Sequence, residues 1–503
     1  MPARPNILFL LADQQRYDAA GFAGNPQVRT PHLDRLAEDG VRYTRAYCPY
    51  PVCTPSRYSL FSGRWVHQHG GYGNHVTLAP GVPTFPRALR QAGWRTAAVG
   101  KMHFTPTYLD VGLDRLTLAE QHGDGRFDDD YHRALRQAGL VDAIDLLDQR
   151  AEYRKRAPDW YWNSCGAGPS NLPEAWHTTT WIGDRALELL EGWQGGGNLA
   201  VVGFVKPHHP FDPPARWLNA YDPAKLDPLP GWTAEVPAHD AAKSAGYFPN
   251  RELTPERLRG VMAAYYATVS HLDEQAGRLI EALKRKGLYE DTLIVYTADH
   301  GEYLGYHHLL LKGNYPYEPL ARVPLLVKYP GRAHAGERRE LLASLIDLAP
   351  TILKQAGVEV PAGMGGLDLA DSRALRETVF LEFDRGRYMA RSERHKLILA
   401  REAEGCFFYD LERDPFELDN RYADPACQAG VARLREAVVR WRLFDAPLPA
   451  YLDERAPVVG GSNVPAPGFG HRKGQAEYYE RACAEFLSAH PDGKPPSGAV
   501  QAD

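Results

Sequence analysis

The hydrophobic positions of the chain form short apolar runs that alternate with segments of helical periodicity. The apolar runs have the length of β-strands and lie at residues 7–12, 94–100, 199–205, 292–298 and 323–328. The segments of helical periodicity lie at residues 32–39, 85–92, 178–193, 255–286 and 344–355. Buried strands that alternate with helices are typical of a mostly parallel sheet with helices on both faces. The pattern therefore predicts an α/β fold with a large, mostly parallel sheet sandwiched by helices.

The pattern changes after residue 372, where shorter strand-like runs are separated by turn residues. These runs lie at residues 379–383, 388–392, 396–400 and 406–410, and a helix is predicted at 428–443. They predict a small antiparallel sheet with one helix. We therefore divide the chain into an α/β domain at 1–372, a small α+β subdomain at 373–445 and an extended tail at 446–503. Within the first domain, residues 104–176 form a long insertion of the kind that often shapes a binding pocket.

Composition and charge indicate a globular protein that does not bind nucleic acid. Hydrophobic residues make up 44% and charged residues 24% of the 503 positions, which is ordinary for globular domains. The net charge of −5 and the lack of a basic run argue against a nucleic-acid partner. Six cysteines are too few for a disulfide scaffold, although Cys48 and Cys53 are near enough in sequence to pair. No CxxC set accompanies them, which argues against zinc.

The N-terminal apolar run at residues 6–12 is too short to cross a membrane, and no small-residue cleavage site follows it. No other segment approaches the roughly 18 apolar residues that a spanning helix needs. We therefore expect a soluble protein without a membrane partner, cytoplasmic if Met1 is its natural start. The sequence leaves the oligomeric state open, and the long tail is compatible with contacts in a homo-oligomer.

Chemically active side chains follow directly after four of the predicted strands. They are Asp13 and Gln14 after the first, Lys101 and His103 after the second, Lys206, His208 and His209 after the third, and Asp299 and His300 after the fourth, with Lys312 beyond. Open α/β sheets bind ligands at the carboxyl ends of their strands, so these side chains are expected to converge. Each alone has an ordinary structural explanation, such as a turn cap for Asp13, but four such strand ends favour a site.

The converging groups predict a site that binds a cation and an anion together. Two carboxylates, an amide oxygen and an imidazole favour a hard divalent cation such as Ca²⁺, Mg²⁺ or Mn²⁺. The surplus of lysines and histidines favours a tetrahedral oxyanion as the substrate.

The stretch PVCTPSRYSLFSGR at residues 51–64 places a cysteine just before the start of a predicted helix, on the turn from strand to helix, and an arginine one turn inside that helix. Thr54 can cap this helix, and Pro55 suits its first turn. Cys53 would then lie near the positive end of the helix dipole, where a thiol is acidic and reactive. A small buried residue in a turn remains an equal alternative on these local features.

These residues resemble the type I sulfatases of the alkaline phosphatase superfamily. Cys53-Thr-Pro-Ser-Arg57 followed by Gly63-Arg64 matches the C-x-P-S-R…G-R signature, which is also the recognition sequence for converting Cys to formylglycine. Agreement extends over roughly residues 4–420 and includes 5–9, 13–14, 30–34, 100–103, 206–208, 297–301, 322–325 and 410–415. The resemblance implies an alkaline-phosphatase-like fold and a sulfuric ester hydrolase whose catalytic domain is residues 1–372.

The resemblance explains the cysteine. It implies that a formylglycine-generating enzyme oxidises Cys53 to an aldehyde whose hydrate is the nucleophile. Attack on sulfur by one hydroxyl leaves a sulfated hemiacetal, and deprotonation of the second hydroxyl then expels sulfate by C–O cleavage and regenerates the aldehyde. A sulfated serine has no second hydroxyl, so it cannot release sulfate by this elimination.

The resemblance also assigns roles to the other residues. It implies a divalent cation, Ca²⁺ before Mg²⁺ or Mn²⁺, on Asp13, Gln14, the modified Cys53, Asp299 and His300. Arg57 would stabilise the alkoxide of the hydrate, and Asp299 would take its proton. Lys101 and Lys312 would bind the sulfate oxygens, and Asn74 and His75 would contact the leaving group. His208, together with Lys312, would be the general acid that protonates the leaving alcohol. His103 would be the base that breaks down the sulfated hemiacetal.

Two positions depart from the commonest sulfatase pattern and keep other functions open. Gln14 stands where many sulfatases have Asp, and His300 where many have Asn, which lowers the negative charge of the ligand set and keeps Mg²⁺ and Mn²⁺ open beside Ca²⁺. The combination of Gln after the first Asp and His after the second also occurs in choline-sulfatase-like enzymes and in phosphonate monoester hydrolases. The phosphonate enzymes typically lack the lysine and histidine found here as Lys101 and His103. Sulfate monoesters, and carbohydrate sulfates among them, are therefore the expected substrates. The alternatives are a phosphonate monoester hydrolase or phosphodiesterase, and a catalytically inactive sulfatase-like binding protein.

Overall fold

The computed structural model describes residues 4–121, 126–241, 248–313, 315–371, 373, 375–448 and 475–490. Two β-sheets organise this part of the chain, one of nine strands and one of four. Five of the eight strand pairings described in the large sheet are parallel, and all three in the small sheet are antiparallel. The predicted fold class is therefore confirmed. Within the described residues, no helix is both long and apolar enough to span a bilayer.

The strands follow the apolar runs closely. The large sheet contains β1 (Asn6–Ala12), β2 (Val41–Tyr47), β3 (Arg95–Gly100), β4 (Arg115–Leu118), β5 (Asn198–Gly203), β6 (Thr292–Ala298), β7 (Arg322–Val323), β8 (Leu325–Lys328) and β9 (Arg338–Ser344). Their order is β4-β3-β5-β1-β6-β8-β2-β7, with β9 paired to β2. The small sheet has the order β10 (Val379–Phe383), β11 (Arg387–Arg391), β12 (His395–Leu399) and β13 (Phe407–Asp410).

The helices pack against these sheets and against one another. They are α1 (Pro31–Asp39), α2 (Cys53–Ser62), α3 (Val66–His69), α4 (Phe85–Gln91), α5 (Asp130–Gln137), α6 (Ala143–Gln149), α7 (Ala151–Arg154), α8 (Asp159–Asn163), α9 (Thr178–Glu191), α10 (Ala215–Leu218), α11 (Ala238–Ala241), α12 (Pro255–Arg285), α13 (Glu318–Ala321), α14 (Leu348–Gln355), α15 (Gln428–Arg440) and α16 (Gln475–Ala489). The 31-residue α12 packs along α9 and α1. Helix α15 covers the small sheet and continues into a π-helical turn, Trp441–Asp445.

The register of the central strands brings their carboxyl ends to one edge. Ala12 at the end of β1 pairs with Ala298 at the end of β6. Gly100 at the end of β3 pairs with Gly203 at the end of β5. A Cβ atom on Gly100, whose φ is +90°, would meet the carbonyl oxygen of Gly203 at 2.1 Å, so the close approach of these two strand ends requires glycine. The residues that follow these strands therefore face one another.

Several elements differ from the sequence predictions. The single strand expected at 323–328 is divided at Pro324, which has no N–H for the ladder. Strands β2, β4 and β9 were not predicted, because their arginines and threonines interrupt the apolar pattern. The insertion at 104–176 contains strand β4 and helices α5 to α8.

The tail at 446–503 was predicted to be extended, and the structure describes only residues 446–448 and 475–490 of it. The second of these segments forms helix α16, which contacts α6 of the insertion. The hydroxyl of Tyr478 on α16 donates a hydrogen bond to the Leu140 carbonyl at 2.7 Å. The remaining tail positions lie outside the described residues, and the division of the chain into domains stays a prediction.

Candidate active site

Helix α2 begins at Cys53, two residues before Pro55, which would be the first helical residue if Thr54 were the cap. The N-cap is therefore Val52, and Thr54 does not cap the helix. Instead the Thr54 hydroxyl donates to the carbonyl of His103 at 2.7 Å, and the Thr54 N–H donates to Oδ1 of Asn74 at 3.1 Å. These two bonds hold the start of the helix against the loops after β3 and α3, with the Cys53 side chain at the edge where the strands end.

The Cys53 thiol is buried among charged side chains. Its Sγ lies 3.2 Å from Nε2 of His300, 3.3 Å from Nζ of Lys312 and 3.7 Å from Oδ1 of Asp13. Burial and the Asp13 carboxylate raise the pKa of the thiol to about 11, although Lys312 and Lys101 oppose them. The prediction of an acidic thiol is therefore wrong, because burial and a facing carboxylate outweigh the helix start. Cys48 does not pair with Cys53, since both are free thiols.

The Arg57 guanidinium, one turn into α2, ties three strand ends together. Its Nε lies 2.8 Å from Oδ2 of Asp299, its Nη2 lies 2.9 Å from Oδ2 of Asp13, and its Nη1 donates to the Lys101 carbonyl at 2.5 Å. The two carboxylates and the guanidinium are completely buried. A planar group with several fixed donors suits such a junction, and a single ammonium does not.

The two predicted carboxylates meet because the residues before them are paired in the sheet. Asp13 follows β1 and Asp299 follows β6. Nζ of Lys101 lies 2.8 Å from Oδ2 of Asp13. Burial alone would raise the pKa of Asp13, but the positive charges of Lys101, Arg57 and Lys312 outweigh it and hold that pKa well below its usual range. Asp13 is therefore ionised at neutral pH.

Gln14 and His300 present one acceptor atom each towards Lys312. Gln14 has a φ of 62°, a left-handed conformation that costs a non-glycine residue about 1–3 kcal/mol. It is held by its N–H to Oδ1 of Asp299 at 3.1 Å and by its side-chain amide to Glu302, so its Oε1 faces the Lys312 ammonium at 2.7 Å. Nδ1 of His300 donates to the carbonyl of Gly301 at 3.0 Å, which leaves the lone pair on Nε2. Burial and Lys312 lower the pKa of His300 to about 4, so its imidazole is neutral.

Lys312 contacts His208 as well as the groups of the cluster. Nζ of the half-buried Lys312 lies 2.9 Å from Nε2 of His208. Burial lowers the pKa of Lys312, but the groups on Cys53, Asp13 and Asp299 outweigh burial and raise it. Lys312 therefore stays protonated and donates to His208.

The donor set fits a hard divalent cation. One potential ligand atom from each of Asp13, Cys53, Asp299 and His300 lies within 4.8 Å of the others. Two carboxylates, the Nε2 lone pair of His300 and the amide oxygen of Gln14 are ligand types that such an ion accepts. The lysine and arginine around them supply the positive charge for an oxyanion.

The remaining predicted residues are not all in this cluster. His103 is buried, has a φ of 57°, and its N–H donates to the Glu120 carboxylate at 3.0 Å. The side chain of Asn74 contacts the first turn of α2, where its Oδ1 accepts a hydrogen bond from the Thr54 N–H. His75 is half-buried, and no contact described for it joins it to the cluster. Lys206 turns towards Asp212 and its own loop, where its Nζ donates to the Pro210 carbonyl at 2.6 Å.

The sequence analysis missed the polar residues that the insertion contributes. Oε1 of Gln121 accepts from Nζ of Lys101 at 3.3 Å, and its amide nitrogen donates to Asp145 at 2.6 Å and to the His209 carbonyl at 2.9 Å. The carboxylate of Asp148 on α6 lies 2.6 Å from Nδ1 of His209. The insertion matches no motif, so no signal in the sequence alone pointed to these side chains. Glu302 lies next to the predicted Asp299 and His300 in the sequence. Its hydrogen bond with Gln14 could not be predicted, because the two residues are brought together only by the tertiary structure.

Comparison with known proteins finds similar sequences and a similar fold. The family model described as Sulfatase matches residues 5–358, and the model described as N-sulphoglucosamine sulphohydrolase, C-terminal, matches residues 305–443. An arylsulfatase of Clostridium perfringens is 27% identical over 464 residues, which cover 87% of this chain and 94% of the relative. An N-acetylglucosamine-6-O-sulfatase of Bacteroides thetaiotaomicron is 28% identical over 83% of this chain and 82% of its own length. The crystal structure of a phosphonate monoester hydrolase of Agrobacterium radiobacter is similar at a TM-score of 0.74, with 25% identity over 87% of this chain and 95% of that one.

Proposed function

We propose that this chain, which belongs to the sulfatase family and is a sulfuric ester hydrolase, cleaves sulfate monoesters with a nucleophile built on residue 53. The observation that carries the proposal is the position of Cys53. Its Sγ lies within 3.7 Å of an imidazole, an ammonium and a carboxylate, at the edge of the sheet where the strand ends converge. Such a position suits a nucleophile among preorganised charged groups better than it suits a thiol of the hydrophobic core.

Two groups would complete this site. Formylglycine at residue 53 would supply a hydrated aldehyde as the nucleophile. A divalent cation, Ca²⁺ in the first instance, would be held by Asp13, Gln14, Asp299 and His300 and would stabilise negative charge on the substrate and on the nucleophile. The neutral Gln14 and His300 leave fewer anionic ligands than an all-carboxylate site, so Mg²⁺ and Mn²⁺ are the alternatives to Ca²⁺.

Lys101, Arg57 and Lys312 would provide the electrostatic stabilisation. Arg57 is locked between Asp13 and Asp299, so it is preorganised to stabilise an alkoxide at residue 53. Lys101 and Lys312 approach the cluster from β3 and from the loop after β6, and each would contact a sulfate oxygen. Because these groups are fixed before substrate binds, little reorganisation is needed in the transition state.

The pair formed by Lys312 and His208 would protonate the leaving alcohol. Nε2 of His208 accepts from the Lys312 ammonium at 2.9 Å, and Nδ1 of His208 donates to the carbonyl of His209 at 2.7 Å. This arrangement fixes the His208 ring and gives Nε2 a proton source. His103 would serve as the base that releases sulfate, and Asn74 and His75 would line the leaving-group side.

The test is to measure the intact mass of full-length protein produced with a formylglycine-generating enzyme, and then its turnover of a panel of esters. We expect the mass change for replacement of CH₂–SH by an aldehyde, and faster turnover of aryl and sugar sulfates than of phosphonate monoesters or phosphodiesters. The matched control is Cys48→Ala, which leaves the modified residue in place. An unmodified thiol in a competent host would favour the catalytically inactive binding protein instead.

The phosphonate monoester hydrolase or phosphodiesterase remains the second candidate. Its support is the structural similarity to the Agrobacterium enzyme at an identity comparable to that of the sulfatases. The pair of Lys101 and His103 after β3 favours sulfate. Faster turnover of phosphonate monoesters or phosphodiesters across the panel would reverse this order.

A carbohydrate sulfate is the substrate class that we propose first. The relative from Bacteroides thetaiotaomicron is named for a sulfated amino sugar, and the insertion brings polar side chains to the cluster beside Lys101. Sulfated monosaccharides in the panel, compared with choline sulfate and a nitrophenyl sulfate, test this choice directly. The predicted cytoplasmic location and a homo-oligomer stay expectations from the sequence.

A further inference from the structure

A second group of metal-ligating side chains lies apart from the active-site cluster. It consists of His239 and Asp240 on α11 and His307 in the loop after β6, and it is called here the α11 cluster. We propose that the α11 cluster is a site for a transition-metal cation of the Zn²⁺ type. It shares no residue with the proposed catalytic site, so the proposal is independent of the reaction.

The distances within the α11 cluster match a tetrahedral ion. Oδ2 of Asp240 lies 3.2 Å from Nε2 of His239 and 3.3 Å from Nδ1 of His307. Nitrogen and oxygen ligands lie about 2.0–2.1 Å from Zn²⁺, so two corners of its tetrahedron are about 3.3 Å apart. The ligand atoms of the two histidines lie within 4.8 Å of each other, so a small movement of the rings would let all three residues share one ion.

The orientation of His307 points to a cation as well. Its Nε2 lies 2.7 Å from the carbonyl of Phe416, which only accepts, so this nitrogen carries the proton. In the neutral ring, Nδ1 then directs a lone pair at the carboxylate of Asp240. A positive charge between these two acceptors removes the repulsion, and a carbonyl on the far nitrogen is the usual partner of a metal-bound imidazole.

The surroundings hold the three ligands in place and leave access from solvent. The ring of Tyr306 stacks on His307 with centroids 4.4 Å apart. The Tyr317 hydroxyl lies 3.0 Å from Nε2 of His239 and 3.2 Å from both oxygens of Asp240. Asp240 and His307 are completely buried, whereas the side chain of His239 is 29% exposed and provides the entry path.

The ligand types distinguish this site from the active site. Two imidazoles and one carboxylate favour Zn²⁺ or a similar transition metal, whereas the oxygen-rich active site favours Ca²⁺. A bound ion would join α11 to the loop that carries Lys312 and, through Phe416, to the segment after β13. We therefore assign it a structural role.

The proposal is tested by measuring how many metal ions bind to the Asp13→Asn protein. This substitution weakens metal binding at the active site, so that binding at the α11 cluster can be measured separately. Chelator-stripped full-length protein is titrated with ZnCl₂ in a calorimeter and with CoCl₂ by visible absorption. We expect one equivalent of Zn²⁺ and the ligand-field bands of tetrahedral Co²⁺. Both should be lost with His239→Gln or His307→Gln and retained with the exposed control His334→Gln.

A thermal melt of wild-type protein adds a second measurement that does not depend on Asp13. Zn²⁺ should raise the Tm of wild type and of His334→Gln, but not that of His239→Gln. Circular dichroism verifies that each variant is folded. Zn²⁺ binding that persists in both His239→Gln and His307→Gln, or no Zn²⁺ binding in the Asp13→Asn protein, would overturn the site and leave His307 and Asp240 as a protonated ion pair.

Discussion

At the scale of single residues, the active-site cluster depends on one arginine that neutralises two carboxylates. The Arg57 fork contacts Asp13 and Asp299 with different nitrogens while a third nitrogen binds the Lys101 carbonyl. Removing one partner of a buried ion pair leaves an uncompensated charge, which costs about 3–5 kcal/mol. The position of Arg57 in the cysteine signature is therefore explained by structure as well as by chemistry.

Arg57→Lys tests this point, because lysine keeps the charge and loses the fork. We expect kcat/KM for a sulfate ester to fall about 10²–10³-fold, since one ammonium cannot hold both carboxylates and stabilise the nucleophile. The unfolding free energy should fall too. Steady-state kinetics and urea denaturation measure the two effects, with the exposed Arg35→Lys as the control. An unchanged kcat/KM would remove Arg57 from the proposed mechanism.

At the scale of elements, the insertion supports the proposed general acid through the neighbouring histidine. The carboxylate of Asp148 on α6 holds Nδ1 of His209 at 2.6 Å and accepts from the Tyr161 hydroxyl at 2.7 Å. The ring of His209 stacks on His208 at 4.2 Å, and its carbonyl accepts from Nδ1 of His208. Asp148 is therefore a positioning residue for His208.

Asp148→Asn should impair protonation of the leaving group selectively. A poor leaving group needs the acid, whereas nitrophenolate departs without it, so we expect about a tenfold loss of kcat on an alkyl or sugar sulfate and little loss on nitrophenyl sulfate. His208→Asn should show the same dependence on the leaving group, more strongly. Equal losses on both substrates would indicate only a structural role for Asp148.

A second element-scale contact links α12 to the start of α1. Asp273 accepts from the N–H groups of Leu33 at 2.7 Å and His32 at 3.2 Å, two of the donors that a helix start leaves without partners in the helix. Burial raises the pKa of Asp273 to about 7, although these two bonds oppose it. Between pH about 4 and 7 the folded protein therefore holds a proton that the unfolded chain has released.

The consequence is a contribution to stability that is complete at low pH and is lost as the pH rises towards 7. Asp273→Asn, which does not titrate, should flatten the fall of the unfolding free energy across this window. Urea denaturation at several pH values measures the slope, and the exposed Asp227→Asn serves as the control. An identical pH dependence in Asp273→Asn and wild type would contradict the assignment.

At the scale of the whole molecule, a buried ion network fastens the small sheet to the large one. Nζ of Lys396 on β12 lies 2.7 Å from Glu417 and 3.3 Å from Glu318 at the start of α13. Glu318 also accepts from the Tyr47 hydroxyl of β2 at 2.9 Å. Burial acts to raise the pKa of Glu318, but Lys396 and Arg391 outweigh it and lower that pKa to about 2. The interface between the two sheets is therefore charged.

Lys396→Met should destabilise the whole protein, because it leaves two buried carboxylates without their shared cation. We expect a loss of about 3–5 kcal/mol in unfolding free energy, measured by urea denaturation. Lys354→Met, at an exposed position, is the matched control and should change stability little. An unfolding free energy of Lys396→Met equal to that of wild type would contradict the assignment of this network to the junction between the two sheets.

The sequence by itself determined the fold class, most strands of the large sheet and the chemical groups at their ends. Strand and helix periodicities are local properties, and open α/β sheets bind ligands at the carboxyl ends of their strands, so Asp13 and Asp299 were predicted to converge. The cysteine signature likewise lies within one continuous stretch. Such features need no knowledge of distant contacts.

The tertiary structure decided which side chains meet and how they are charged. It brought Gln121 and Asp148 from the insertion to the site, turned Lys206 away to Asp212, and started α2 at Cys53 instead of after it. It also assembled the α11 cluster from residues far apart in the chain. Burial and distant charges set the pKa values, and both depend on long-range packing that no local pattern of residues contains.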